Sequence, residues 1–423
     1  MSGSRSYGRG AAALSVGIGV TGLVTYGYFS LASHSLADDE YGRVTLLWSA
    51  VFVVVSVLYR PVEQLLSRTI AERAAEPRVL CVAATIQLGL GVGFAAVALL
   101  ARGHVENGLF GGSSRLYWIF VVTVLAYAAS YFARGFLAGH HRFGAYGALV
   151  LLESVSRCLF AVAVAVGITE GQDAVALGMV AAPIASLAVI PFIISRRTFP
   201  SHSDEKVPLA EGEAEFTLAH GSGFAAAVLL IMLAEQTFLN AGPLIIKATE
   251  PGAAGAALAG FTFNVLLIAR APLQLFQSVQ TSILPHLTKM RAAGEAEQFE
   301  RSISVTLRAI AAFAAVVALA LLAFGPWAMD LLFGSEVDYD RLGLFLIALG
   351  MGLYLAAATL NQAALARGRT KAAAACWVTS ALAFVIFLLI PGWSDRVVQT
   401  EVGYAGAAAL LCALLHWLYR RPE

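Results

Sequence analysis

Uninterrupted apolar runs of eighteen or more residues recur from one end of this 423-residue chain to the other. At about 1.5 Å of rise per helical residue, each reaches across a hydrocarbon layer ~30 Å thick. In such a layer every backbone N–H and C=O must be paired inside the protein, which leaves a bundle of spanning helices as the fold class for runs of this length. The sequence therefore reads as an all-α polytopic membrane protein. Its composition agrees, because 59% hydrophobic against 13% charged residues leaves too little polar surface for a water-solvated protein of this size.

Hydropathy and loop breakers place spans near 11–32, 45–66, 79–100, 116–137, 145–168 and 175–194, then near 221–243, 254–284, 303–325, 341–365, 372–391 and 402–418. The first run follows Arg5 and Arg9 and ends near Ser35-Leu36-Ala37, as a secretory signal does. It is too long for a signal core, and removing it leaves an odd number of spans. Most of the 28 Lys and Arg residues fall on the amino-terminal side of the membrane. They include Arg68, Arg73 and Arg78 after span two, Arg196 and Arg197 after span six, and Arg367, Arg369 and Lys371 after span ten. The opposite loops are acidic at Asp38, Asp39 and Glu40 and at Glu336, Asp338 and Asp340. This bias puts both termini in the cytoplasm of a multi-pass protein of the inner, or plasma, membrane. The net charge of +1 gives no reason to expect nucleic acid. Cys81, Cys158, Cys376 and Cys412 all lie inside apolar runs without short spacing and read as packing residues.

The longest polar stretch carries Pro200, Ser201, Ser203 and Pro208 with mixed charges and no periodic apolar face. It reads as a cytoplasmic linker, 195–218, between a six-helix lobe at 1–194 and a second at 219–423. Six is even, so both lobes have the same orientation, as in parallel transporter repeats. A short internal match accompanies the division. Arg60-Pro-Val-Glu-Gln-Leu65 in span two aligns with Arg270-Ala-Pro-Leu-Gln-Leu275 in span eight, with a proline at each site.

No HExxH helix, Walker loop, nucleophile elbow or paired catalytic carboxylates occur, so neither an enzyme, a metal site nor a cofactor is expected. The informative residues are the polar ones inside spans, which cost about 2.5–3.5 kcal/mol at a helix centre unless they face protein or water. Arg270, Gln274, Gln277 and Thr281 share one face of span eight, and Arg60, Gln64 and Ser67 repeat the spacing in span two. Two readings stand for the arginines: snorkelling to the headgroups, or lining a cleft as a cationic wall matched to phosphate oxygens. Span seven holds Glu235, Gln236 and Asn240, with Glu235 near the midplane as a structural partner or a site for a coupling ion. Asn240 joins Arg60, Gln64, Arg270, Gln274 and Gln277 as a candidate substrate contact. Glu153 and Arg157, four residues apart in span five, are expected to form a structural pair.

The chain resembles the polysaccharide-export branch of the multidrug, oligosaccharidyl-lipid and polysaccharide exporter superfamily. The resemblance rests on Ala133-Arg-Gly-Phe-Leu-Ala-Gly-His-His-Arg-Phe143 and on Glu250-Pro-Gly-Ala-Ala-Gly255 ahead of a long helix ending Ser282-Ile-Leu-Pro-His-Leu287. The turn Ala366-Arg-Gly-Arg369 completes it. It implies two six-helix lobes around a cavity lined by spans one, two, seven and eight and open alternately to each side. It also implies a polyprenyl-diphosphate-linked oligosaccharide as substrate, flipped for cell-surface polysaccharide synthesis, with a proton or sodium ion as possible coupling ion. A cation-coupled multidrug antiporter of the same superfamily is the nearest alternative. A membrane-embedded polysaccharide polymerase or glycosyltransferase is a more distant one, because loops of about fifteen residues or fewer on the outer face give catalytic groups little room. Topology reporters fused after Glu72, Lys206 and Arg369 are expected to report the cytoplasm, and those after Asp39, Gly171 and Asp338 the outside. Reporters at Asp39 and Lys206 on one side would break the two-lobe reading.

Overall fold

The structure, a computed structural model, describes residues 2–73, 77–188, 218–268, 270, 296–334 and 339–421. The linker, apart from its last residue, and the second half of span eight with Gln274 and Gln277 lie outside the described residues. The first half of the chain contains α1 (Ser2–Ser35), α2 (Asp38–Leu58), α3 (Arg60–Arg73), α4 (Pro77–Leu100), α5 (Ser114–Gly139), α6 (Phe143–Ala165) and α7 (Gly171–Ser186). The second half contains α8 (Leu218–Thr249), α9 (Gly252–Ile268), α10 (Ala296–Phe333), α11 (Arg341–Ala366), α12 (Thr370–Leu389) and α13 (Arg396–Arg420). Each span read from hydropathy falls on one of these helices, with span two divided between α2 and α3. Nine helices among the described residues are long and apolar enough to cross a membrane.

The division of span two follows from Pro61. Proline has no N–H to donate to the preceding turn, and its ring crowds the carbonyl there. The helix is interrupted at Tyr59, whose φ of −106° and ψ of −26° keep it near helical values, and resumes as α3 at Arg60.

Helix packing repeats at an offset of six spans. In the first lobe α1 packs on α6, α4 on α5, α5 on α6 and on α7, and α6 on α7. In the second lobe α8 packs on α12, α10 on α11, α11 on α12 and on α13, and α12 on α13. Burial repeats too. The most apolar windows of the equivalent helices α4 and α10 are each 17% buried, whereas those of α5 and α11 are 61% and 67% buried. The outer pair therefore turns Leu88, Val92 and Leu100, and Val316, Phe324 and Trp327, away from the protein, toward lipid. Lipid tails are as apolar as these side chains, so close packing and hydrogen bonds, rather than exclusion from water, hold the inner helices.

The lobes meet at the side opposite the amino terminus. Gly42 of α2 and Gly260 of α9 cross so closely that a Cβ on Gly260 would lie 2.9 Å from the Gly42 Cα. Around this crossing, Tyr26 donates to the Leu267 carbonyl and Tyr41 to Asn264 Oδ1. Asn264 Nδ2 donates in turn to the Tyr339 hydroxyl at 3.4 Å, and the rings of Phe29 and Phe263 approach to 4.7 Å. The described state is thus closed on that side. Gly42→Leu is expected to separate α2 from α9, since the added side chain would meet the Ala256 carbonyl. Maleimide labelling of a cysteine placed at the buried Ala259 should rise several-fold; unchanged labelling would mean that the glycine contact does not hold the closure.

Candidate functional site

The interruption ahead of Pro61 sets Arg60 at the start of α3, half-buried between the lobes. Its first electrostatic partner is Glu235 of α8, in the other lobe, followed by Tyr131, Glu63 and Tyr146. Arg270 enters from α9. It donates to the Leu239 carbonyl and to Asn240 Oδ1 at 3.5 Å, and its guanidinium stands 5.3 Å from the centre of the Phe263 ring. The two arginines share a neighbour, since Tyr354 of α11 lies within electrostatic reach of Glu235, Arg60 and Arg270. Tyr26 and Tyr404 border Arg270, and its Nε is buried without a hydrogen-bond partner among the described residues. One guanidinium per lobe, one carboxylate and a tyrosine hydroxyl therefore surround the same region.

The other sequence candidates take different places. Asn240 is 2% exposed, and its amide is already engaged: Nδ2 donates to Gln236 Oε1 at 3.1 Å while Oδ1 receives Arg270. In this state it positions Arg270. Gln64 is exposed on α3, one turn beyond Arg60.

The pair expected between Glu153 and Arg157 does not form. The Glu153 carboxylate accepts from Arg134 and from Ser130, both on α5. Spacing of i, i+4 on one helix permits contact but does not enforce it, and a guanidinium on the facing helix competes successfully. Arg157 instead lies 4.4 Å from the Trp48 ring centre. Arg134 also stacks 4.5 Å from the Tyr131 ring, and Tyr146 donates to Glu63 Oε1 at 2.9 Å. The sequence reading missed Glu63, Arg134, Tyr146 and Tyr354. Glu63 and Arg134 sit near the ends of apolar runs and read as boundary charges, although both are only partly exposed and take partners inside the lobe. Nothing in the spacing singled out the tyrosines.

An apolar pocket of ≈ 430 Å³ opens between α2, α4 and α8, lined by Val53, Val57, Leu58, Leu90, Phe94 and Leu233 among others. It begins two residues before Arg60 on one helix and two before Glu235 on another.

No family model matches the chain. It is 26% identical over 388 residues to uncharacterized proteins of Mycobacterium bovis and Mycobacterium tuberculosis, covering 88% of this chain and 83% of theirs. Solved structures share the fold. The MATE multidrug transporter DinF-BH superposes with a TM-score of 0.69 at 14% identity, over 97% of this chain and 94% of that one. The lipid II flippase MurJ in an inward closed conformation gives 0.68 at 12% identity, over 96% and 87%. The eukaryotic MATE transporter AtDTX14 gives 0.64 at 15% identity, over 99% and 96%. The chain therefore shares the two-lobe fold of these MATE and MurJ structures.

Removing one member of a buried ion pair strands the other, at a cost of about 3–5 kcal/mol. Glu153→Gln is thus expected to lower the thermal unfolding temperature of the purified protein markedly, and the double variant Glu153→Gln with Arg134→Met to recover most of the loss. An equal loss in both, read by fluorescence in detergent, would mean that the charge of Arg134 does not depend on Glu153.

Proposed function

We propose that this chain is an alternating-access transporter that flips a polyprenyl-diphosphate-linked oligosaccharide across the inner membrane. In this reading the lobes 1–194 and 219–423 rock about the cleft, and both termini stay in the cytoplasm. The observation that carries the proposal is the placing of Arg60 and Arg270, one from each lobe, around the same Tyr354. Two guanidiniums give a diphosphate more donors than either alone, with a bidentate geometry that a lysine lacks. Arg270 keeps a buried Nε to spare. The apolar pocket beside Leu58 and Leu233 supports the lipid half of the substrate, since a polyprenyl chain has to stay in apolar surroundings while its head enters the cleft.

Glu235 is the proposed coupling site. Its electrostatic partner is Arg60, so an arriving diphosphate and the Glu235 carboxylate compete for one cation. Binding substrate releases Glu235 from its partner, and a proton or sodium ion then neutralises it; this exchange links the substrate to the ion.

Charge-assisted hydrogen bonds contribute about 1.5–3 kcal/mol each. Arg270→Ala and Arg60→Ala should therefore weaken binding of a polyprenyl diphosphate sugar roughly ten- to a hundred-fold, with Arg270→Lys recovering only part. Snorkelling arginines would leave affinity unchanged in all three. In reconstituted vesicles Glu235→Gln should abolish ion dependence while the protein still folds; normal ion-driven transport would remove Glu235 from the mechanism.

A second reading has its own support. The Glu235 carboxylate within reach of Tyr354 combines the acidic and aromatic groups that an organic cation prefers, which favours a cation-coupled multidrug antiporter. Efflux of a fluorescent organic cation from vesicles, lost in Glu235→Gln but intact in Arg270→Ala, would select that reading over the flippase.

A further inference from the structure

We infer that Arg157 forms a binding site for one small inorganic anion of the halide class, enclosed in the amino-terminal lobe and separate from the cleft. The side chain of Arg157 is buried, at 4% exposure. Its Nε and Nη1 have no hydrogen-bond partner among the described residues. Rings surround it: Trp48 with its centre at 4.4 Å, Phe52 at 5.8 Å and Tyr28 at 6.0 Å, with Tyr127 within electrostatic reach. Aromatic faces stabilise the delocalised charge from above. They offer no lone pair to N–H groups, which lie in the guanidinium plane. An ion held in a low-dielectric interior without a countercharge is costly, and two idle donors add to the cost.

Among the described residues no carboxylate pairs with Arg157 in this state. Glu153, one turn away on α6, has its carboxylate engaged by Arg134 and Ser130. Glu63 and Glu235 find their cations in Arg134 and Arg60. Further unpartnered donors lie on the same elements: Ser49 Oγ, next to Trp48, and Thr123 Oγ1, one turn along α5 from Tyr127, are both buried without partners among the described residues. The idle guanidinium N–H donors suit an acceptor with charge and no fixed direction, as a halide has. Tyr28 and Tyr127, each 1% exposed, screen the guanidinium from solvent. Gly178 contributes by letting α7 approach: a Cβ there would lie 2.9 Å from the Arg157 carbonyl oxygen. The site would keep the lobe's surplus cation neutral, whatever the cleft carries.

The test uses the purified full chain and radiolabelled chloride in a proximity binding assay at constant ionic strength. A single saturable site is expected, displaced by bromide and not by gluconate. Affinity should fall about tenfold or more in Arg157→Gln and stay unchanged in Arg60→Gln and Arg270→Gln. A second measurement needs no change at Arg157: bromide should quench fluorescence saturably in the wild type and not in Trp48→Phe. The inference is overturned by absence of saturable binding in the wild type, by binding that survives Arg157→Gln, or by binding lost only with the cleft arginines. Binding that appears only in Glu153→Gln would make Glu153 the counter-ion of Arg157 and overturn it equally.

Discussion

The cost of holding guanidinium groups inside a membrane protein governs the interior. An enclosed arginine finds its stabilisation in what the fold brings near, and four arginines find it in four ways. Arg134 takes a carboxylate from the facing helix. Arg270 takes a backbone carbonyl and an amide oxygen from α8. Arg157 takes aromatic faces. Arg60 looks across to Glu235 in the other lobe. The first three arrangements each lie within a single lobe, Arg134 and Arg157 in the first and Arg270 in the second. The fourth spans the joint between lobes, and its strength therefore depends on their relative position. In the proposed alternating-access cycle, a charge pair across that joint is the natural place for an equilibrium between states to be biased by a ligand.

The same economy of polar contacts is visible where the lobes touch. At the closed side the described contacts are a glycine crossing, aromatic rings and tyrosine hydroxyls on amide or carbonyl oxygens. Contacts of this kind are individually weak enough to be exchanged, whereas the lobe interiors are built around fully buried rings. Phe238 in the second lobe lies within 5.8 to 6.1 Å of Tyr354, Trp377, Phe384 and Tyr404, and Trp377 donates to Asn361 at 3.1 Å to join α11 to α12. Rigid lobes and an exchangeable seam are what alternate opening requires.

Much of the site was written in residue chemistry but not in residue position. Arg60, Arg270 and Glu235 stand out in the sequence because ionisable groups inside apolar runs are expensive. Glu63 and Arg134 carry equal charge and went unread, because a charge near the end of a run looks the same whether it faces headgroups or a neighbouring helix. The misassigned Glu153–Arg157 pair has the same origin. Spacing along one helix is visible in sequence, while competition from Arg134 on a second helix, brought alongside by tertiary packing, is not.

Sequence alone determined that the chain crosses a membrane as helices and where most of those helices lie, since backbone pairing in lipid is a local property of the chain. It also singled out Arg60, Arg270 and Glu235 as charges inside apolar runs. Tertiary structure decided which charges meet: that Arg60 faces Glu235, that Asn240 holds Arg270, and that Arg157 lies among rings without a carboxylate. Those outcomes depend on the rotation of each helix about its axis and on the closeness of its neighbours, which are set by side-chain packing between segments far apart in the chain.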